Sequence, residues 1–120
     1  MRNPDNLVVL ARANALVIAV HKSPLRDRGR RSPGLNAQLV RALSSISFNI
    51  AEGAALDDPG FCRHLTIAIA SANEAEQQLR LAQALDLLGP DGGAFVSDLI
   101  VVRKMMISLR KVVMQSLSAP

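Results

Sequence analysis

Two carboxylates stand out as candidate chemistry, Glu52 and Glu74, each three residues from a polar neighbour, Asn49 and Ser71. Residues three apart share a helix face, so these pairs can form either a paired acid/base or metal centre, or a polar network between helices. Helical di-metal centres use a Glu-x-x-His repeat, and neither His21 nor His64 follows a glutamate by three. The network reading is therefore favoured, with Glu52 capping a neighbouring backbone. Cys62 and His64 are two apart, on different sides of a helix, where a thiol nucleophile would lack a base within reach. Zinc needs three or four ligands, and two residues do not supply them. Gly89, Gly92 and Gly93 lack the Gly-x-x-x-x-Gly-Lys spacing of a phosphate-binding loop. No metal site, cofactor or catalytic residue is expected.

Cations make the other constellation. Arg26, Arg28, Arg30 and Arg31 crowd one short stretch, and Arg103/Lys104 and Arg110/Lys111 repeat at seven residues, nearly two helical turns. With Arg41 they form a candidate surface for phosphate backbones. Ordinary solubilising charge is the competing reading. Residues 1–50 hold eight basic and two acidic residues, a balance of +6, whereas residues 51–120 hold six and eight, a balance of −2. The whole chain carries +4, and an assembly of several copies would concentrate that field. Phe48, Phe61 and Phe95 are the only aromatics, which argues against rows of bases stacked on rings.

The elements that must position these groups are helices. The chain has 120 residues, 49% of them hydrophobic, which suits one domain with a packed core and excludes whole-chain disorder. A first helix is expected over about 5–22, starting at Pro4-Asp5-Asn6 and ending at Ser23-Pro24, since the residue before proline avoids the helical region. Residues 23–33 read as a basic loop. Ser32-Pro33 gives an N-cap and a first-turn proline for a second helix to Gly53, taken as its stop. In that helix Leu35, Leu39, Ala42, Leu43, Ile46 and Ile50 recur at helical steps. Asp57-Asp58-Pro59 opens a third helix, over about 59–88, with Phe61, Leu65, Ala68, Ala72, Ala75, Leu79 and Ala82 on one face. Gly89-Pro90-Asp91-Gly92-Gly93 breaks the chain. A fourth helix follows over about 94–118, with Phe95, Leu99, Val102, Met106, Leu109, Val113 and Leu117 recurring almost as heptads. The prediction is a single all-α domain, an antiparallel up-and-down four-helix bundle.

Leu7-Val8-Val9-Leu10 and Leu99-Ile100-Val101-Val102 wrap most of a helix circumference with apolar side chains. A helix apolar nearly all round is buried on more than one side, so a homo-oligomer joined through the first and fourth helices is expected. No apolar run reaches the roughly 18 residues that span a bilayer. A single cysteine and the absence of a recognisable signal peptide point to a cytoplasmic protein.

Residues 45–53, Ser-Ile-Ser-Phe-Asn-Ile-Ala-Glu-Gly, are followed at a set distance by Phe61-Cys62-Arg63-His64-Leu65-Thr66-Ile67-Ala68, Ser71 and Glu74-Ala75-Glu76-Gln77-Gln78-Leu79. This pattern resembles the small helical-bundle family named for proteins encoded in 23S ribosomal RNA intervening sequences. That family includes the accessory variability protein of diversity-generating retroelements. The resemblance implies a cytoplasmic four-helix bundle assembled as a homopentamer, without enzymatic activity, and with basic surface suited to RNA or DNA. A protein partner such as a reverse transcriptase is implied for the retroelement members. Asn49, Glu52, Gly53, Ser71 and Glu74 are the motif positions retained here. Ala54, Ala55 and Leu56 stand where the family carries an arginine, and the first helix has no early aromatic.

Overall fold

Leu39, Leu43, Ile46 and Ile50 are almost wholly buried, and so are Phe61, Leu65, Leu79, Leu99 and Met106. The helical periodicity of the sequence is thus the inner surface of the molecule. A computed structural model describes residues 2–3 and 7–118. The expected helix start at Pro4-Asp5-Asn6 lies outside the described residues. Among the described residues there are five α-helices: α1 (Val8–Lys22), α2 (Leu25–Arg28), α3 (Pro33–Ala54), α4 (Asp58–Ala84) and α5 (Gly92–Ser118). One-turn 3-10 segments at Gly29–Arg31 and Gly89–Asp91 link α2 to α3 and α4 to α5. There is no strand among the described residues, so the all-α expectation holds.

α4 is the hub. It packs along α3 on one side and α5 on the other, while α1 closes against α3 and α5. α3 and α5 therefore lie diagonally, in a body of 54 × 21 × 20 Å. Ala68, Ala72, Ala75 and Ala82 are fully buried on α4, and their small side chains let the neighbouring helices approach. Gly53 shows how tight that approach is. A Cβ there would lie 2.6 Å from His64 Cβ and 3.0 Å from Phe61 Cδ1. Gly53 does not stop its helix, as expected from sequence; α3 runs through it to Ala54, and the missing side chain makes room for α4.

Three other boundaries differ from the sequence reading. The basic stretch at 23–33 is helical rather than a loop, anchored by the buried Leu25 and by Gly29, whose would-be Cβ meets Asn36 at 2.8 Å. α4 ends at Ala84 instead of near 88, because Asp86 takes a positive φ of 56° and turns Leu87 and Leu88 into the core. The turn is closed by a bond from Leu87 N–H to the Ala82 carbonyl at 2.9 Å. α5 begins at Gly92, two residues before its expected start. The caps divide. Asp57 accepts from Gly60 N–H at 2.9 Å at the start of α4, whereas Ser32 sits at the N-cap of α3 without a side-chain capping bond.

The apolar excess on the first and last helices is only partly absorbed. Val9, Leu10, Leu99 and Val102 enter the core, but Val8, Ile18, Val101, Ile107, Val112, Met114 and Leu117 face outward. No single helix among the described residues is long and apolar enough to cross a membrane.

Candidate functional site

The α3–α4 seam is polar along one side of the molecule. Asn49 stands toward the C-terminal end of α3, on the side facing α4. There its Oδ1 accepts from His64 Nδ1 at 2.9 Å, and its Nδ2 donates to the Ser45 carbonyl at 2.8 Å and to Ser45 Oγ at 3.1 Å. Ser45 Oγ then meets Ser71 Oγ on α4 at 2.9 Å. A chain of hydrogen bonds thus runs His64–Asn49–Ser45–Ser71, crossing between the helices twice. Half-buried polar groups paired in this way fix the register of the two helices.

Further along the seam, Gln38, Arg41, Ala42, Ser45, Ser71 and Glu74 line a groove of about 290 Å³. Gln78, only 7% exposed, underlies it; its Nε2 donates to Glu74 Oε1 at 3.2 Å and more weakly to Gln38 Oε1 at 3.5 Å. The Gln78 side-chain oxygen, Oε1, has no protein partner among the described residues. Arg41 and Glu74 share this groove without pairing with each other. Phe48, on the outward side of α3, is 70% exposed.

Of the residues singled out from sequence, Asn49 and Ser71 meet in one network, and Ser71 and Glu74 meet in one groove. Gly53 shapes the helix contact beside them. Glu52 is exposed, and its side chain makes no hydrogen bond among the described residues and caps nothing. Sequence reasoning gave Gln38, Gln78 and Phe48 no place in the site and weighed His64 only beside Cys62, not as a partner of Asn49. His64 and Asn49 are fifteen residues apart and meet only once α3 and α4 are paired. The four-residue spacing of Ser45 and Asn49 on one helix is a further local signal for the network.

The cations separate into two sets. Arg103 bonds Glu76 and, at 3.1 Å, Asn73 Oδ1; Arg110 reaches Thr66 Oγ1 at 3.3 Å; Arg28 pairs with Asp86 at 3.3 Å. These arginines are engaged within the chain. Arg103 and Arg110 turn toward α4, while Lys104 and Lys111 on the same stripe are exposed. Arg26, Arg30, Arg31, Arg41, Lys104 and Lys111 have no ionic partner among the described residues. Because α3 and α5 are diagonal, one chain does not join Arg41 to the α5 stripe. Glu76 carries a clearly perturbed carboxyl. Hydrogen bonds from Arg103 and then Arg80 hold its carboxyl below the usual carboxylate value, against a smaller opposing effect of burial.

No group of three or more His, Cys, Asp or Glu among the described residues is placed to hold a metal ion. Cys62 is half-buried and free, and its backbone carbonyl accepts from Thr66 Oγ1.

These features define an all-helical protein with a polar interhelical seam and two separate sets of surface cations. The chain belongs to the family of 23S rRNA-intervening sequence proteins, whose family model matches residues 5–108. Among solved structures it is similar to a protein of unknown function from the S23 ribosomal protein family of Bacteroides thetaiotaomicron. The two share 23% identity, with a TM-score of 0.77 over 87% of this chain and 99% of the other, a likeness of fold. No curated protein matches the chain.

Proposed function

We propose that this protein is a non-enzymatic binding module whose four long helices form an up-and-down bundle. In this reading copies assemble into a ring, five by family resemblance, that grips RNA or DNA phosphates and bridges them to a protein partner such as a reverse transcriptase. The observation that carries it is six of the cations that have no ionic partner among the described residues: Arg26, Arg30, Arg31, Arg41, Lys104 and Lys111. Self-assembly is supported by the apolar side chains that α1 and α5 leave outside, Val8, Ile18, Val112 and Met114 among them. A single chain has no further layer to cover them. No cofactor is needed for this activity.

A salt-titrated mobility-shift assay tests the binding. Phosphate contacts release counterions, so affinity should fall steeply between about 50 and 200 mM salt. Absence of binding at the lower salt refutes the nucleic-acid reading. A second reading, a protein-interaction scaffold with incidental charge, is favoured by the mixture of Lys104 and Lys111 with Val101, Ile107 and Met114 on α5. It predicts a protein partner whose capture survives nuclease treatment. Light scattering on the purified protein tests assembly, and a monomer at every concentration refutes it.

A further inference from the structure

We infer that the α3–α4 groove takes the edge of one guanine base from a single-stranded segment, giving the phosphate-binding surface proposed above a means of reading sequence. The inference rests on that reading and names what one of its sites recognises. It starts from an unusual pairing of opposites: Arg41 and Glu74 face one groove of about 290 Å³ and leave each other unpaired. Such a groove is complementary to a neutral group that presents adjacent acceptors on one edge and adjacent donors on another. Among the bases, guanine alone offers both, with O6 and N7 for an arginine fork and N1–H and N2–H₂ for a carboxylate. Adenine and cytosine each offer a single exocyclic amine beside acceptors, and uracil turns carbonyl oxygens toward the carboxylate.

The rest of the lining agrees. Ser45 Oγ and Ser71 Oγ share one hydrogen bond, and Ser45 also accepts from Asn49. One hydroxyl proton therefore remains without a protein acceptor, whichever way the shared bond runs. Gln38 uses its oxygen for Gln78 and keeps its amide N–H groups for a ligand. Gln78, nine-tenths buried, holds both Gln38 and Glu74 and is a positioning residue. Phe48 lies seven residues beyond Arg41 and three beyond Ser45, on the same helix and on a neighbouring part of its face. Its exposed ring offers a neighbouring base a stacking surface, the usual companion of edge recognition in single-stranded RNA. The Arg26–Arg31 turn leads directly into α3, so a strand held by its arginines would have about 22 Å of helix to follow from Pro33 to Phe48.

Labelled pentauridylate and the same pentamer carrying a central guanosine, adenosine or cytidine are compared by fluorescence anisotropy at low salt. The guanosine oligomer should bind roughly tenfold more tightly than the other three. Glu74→Gln, which replaces paired acceptors with one acceptor and one donor, should abolish that ratio, and Lys104→Ala on the diagonal helix should preserve it. Equal affinities for all four oligomers overturn the inference and leave the phosphate reading standing. If none of the four binds, the phosphate reading fails, and free guanosine monophosphate then decides the groove by itself. Amide shifts at Ser45, Ser71 and Glu74 with guanosine but not adenosine monophosphate support it; no shift with either overturns it. Protection of the same residues by a second copy of the chain, with no displacement by the nucleotide, overturns it equally.

Discussion

Gly53 and Gly34 lie on the same helix and should respond to alanine in opposite directions. Replacing a helical glycine by alanine contributes up to about 1 kcal/mol through backbone entropy and helix propensity. At Gly34 nothing lies within 4 Å of the added carbon, so the gain is kept, at about 0.4–1 kcal/mol. At Gly53 the added carbon meets His64 Cβ at 2.6 Å, an atom fixed to the α4 backbone that cannot swing aside. Overpacking of this kind costs about 1–3 kcal/mol, and the short contact places Gly53→Ala toward the upper end. Net destabilisation is then about 1–2 kcal/mol. With an unfolding entropy of about 2.1 cal/mol/K per residue, 1 kcal/mol corresponds to about 4 °C in a chain of this length. Thermal unfolding followed by circular dichroism should show Gly53→Ala melting about 4–8 °C lower and Gly34→Ala about 2–4 °C higher. Both are compared at several protein concentrations, because assembly shifts Tm by mass action. A Gly53→Ala protein as stable as Gly34→Ala would refute the close approach of α3 and α4 at this point.

Glu76, whose carboxyl is held low by Arg103 and Arg80, stabilises the fold fully above its ordinary value of 4.5. That contribution is lost as pH falls through the lowered value. Arg103→Ala should therefore reduce stability at neutral pH by about 1 kcal/mol and flatten the acid limb of a stability-versus-pH curve below pH 4.5; an unchanged acid limb would contradict this. Asn49→Ala removes bonds to His64 and Ser45 and should cost about 1–3 kcal/mol in urea titrations, with loss of the protected His64 ring N–H signal. If the signal persists, the network is not as described.

Much of the helical framework was legible because its cause is local. Leu39 to Ile50 on α3 and Phe61 to Ala82 on α4 bury the residues that their spacing selects. Asp57 caps because a side-chain oxygen three residues ahead of an N–H is a short-range arrangement. What was not legible depends on neighbours from elsewhere in the chain. The Arg26–Arg31 stretch reads as a solvated loop until Leu25 is seen to be buried and Gly29 to rest on Asn36. Leu85-Asp86-Leu87-Leu88 continues a helical pattern, yet the turn at Asp86 sends both following leucines inward. Gly53 could be recognised as a space-maker only once His64 was placed against it. In the site, Asn49, Ser71 and Glu74 were marked as the polar positions retained from the motifs that resemble the family. Their partners Gln38 and Gln78, forty residues apart, carried no shared pattern.

The alanines of α4 also bear on how the fold forms. An alanine side chain has no rotamers to lose on burial, whereas a leucine or isoleucine gives up about 0.5–1 kcal/mol of side-chain entropy. Ala68, Ala72, Ala75 and Ala82 are completely enclosed and freeze no side-chain torsions as the neighbouring helices close on them. Docking onto α4 is therefore selected more by backbone shape than by side-chain rearrangement. The helix at the centre of the molecule acts as a rigid template, and the flexible side chains that must find their places belong mostly to the helices packed around it.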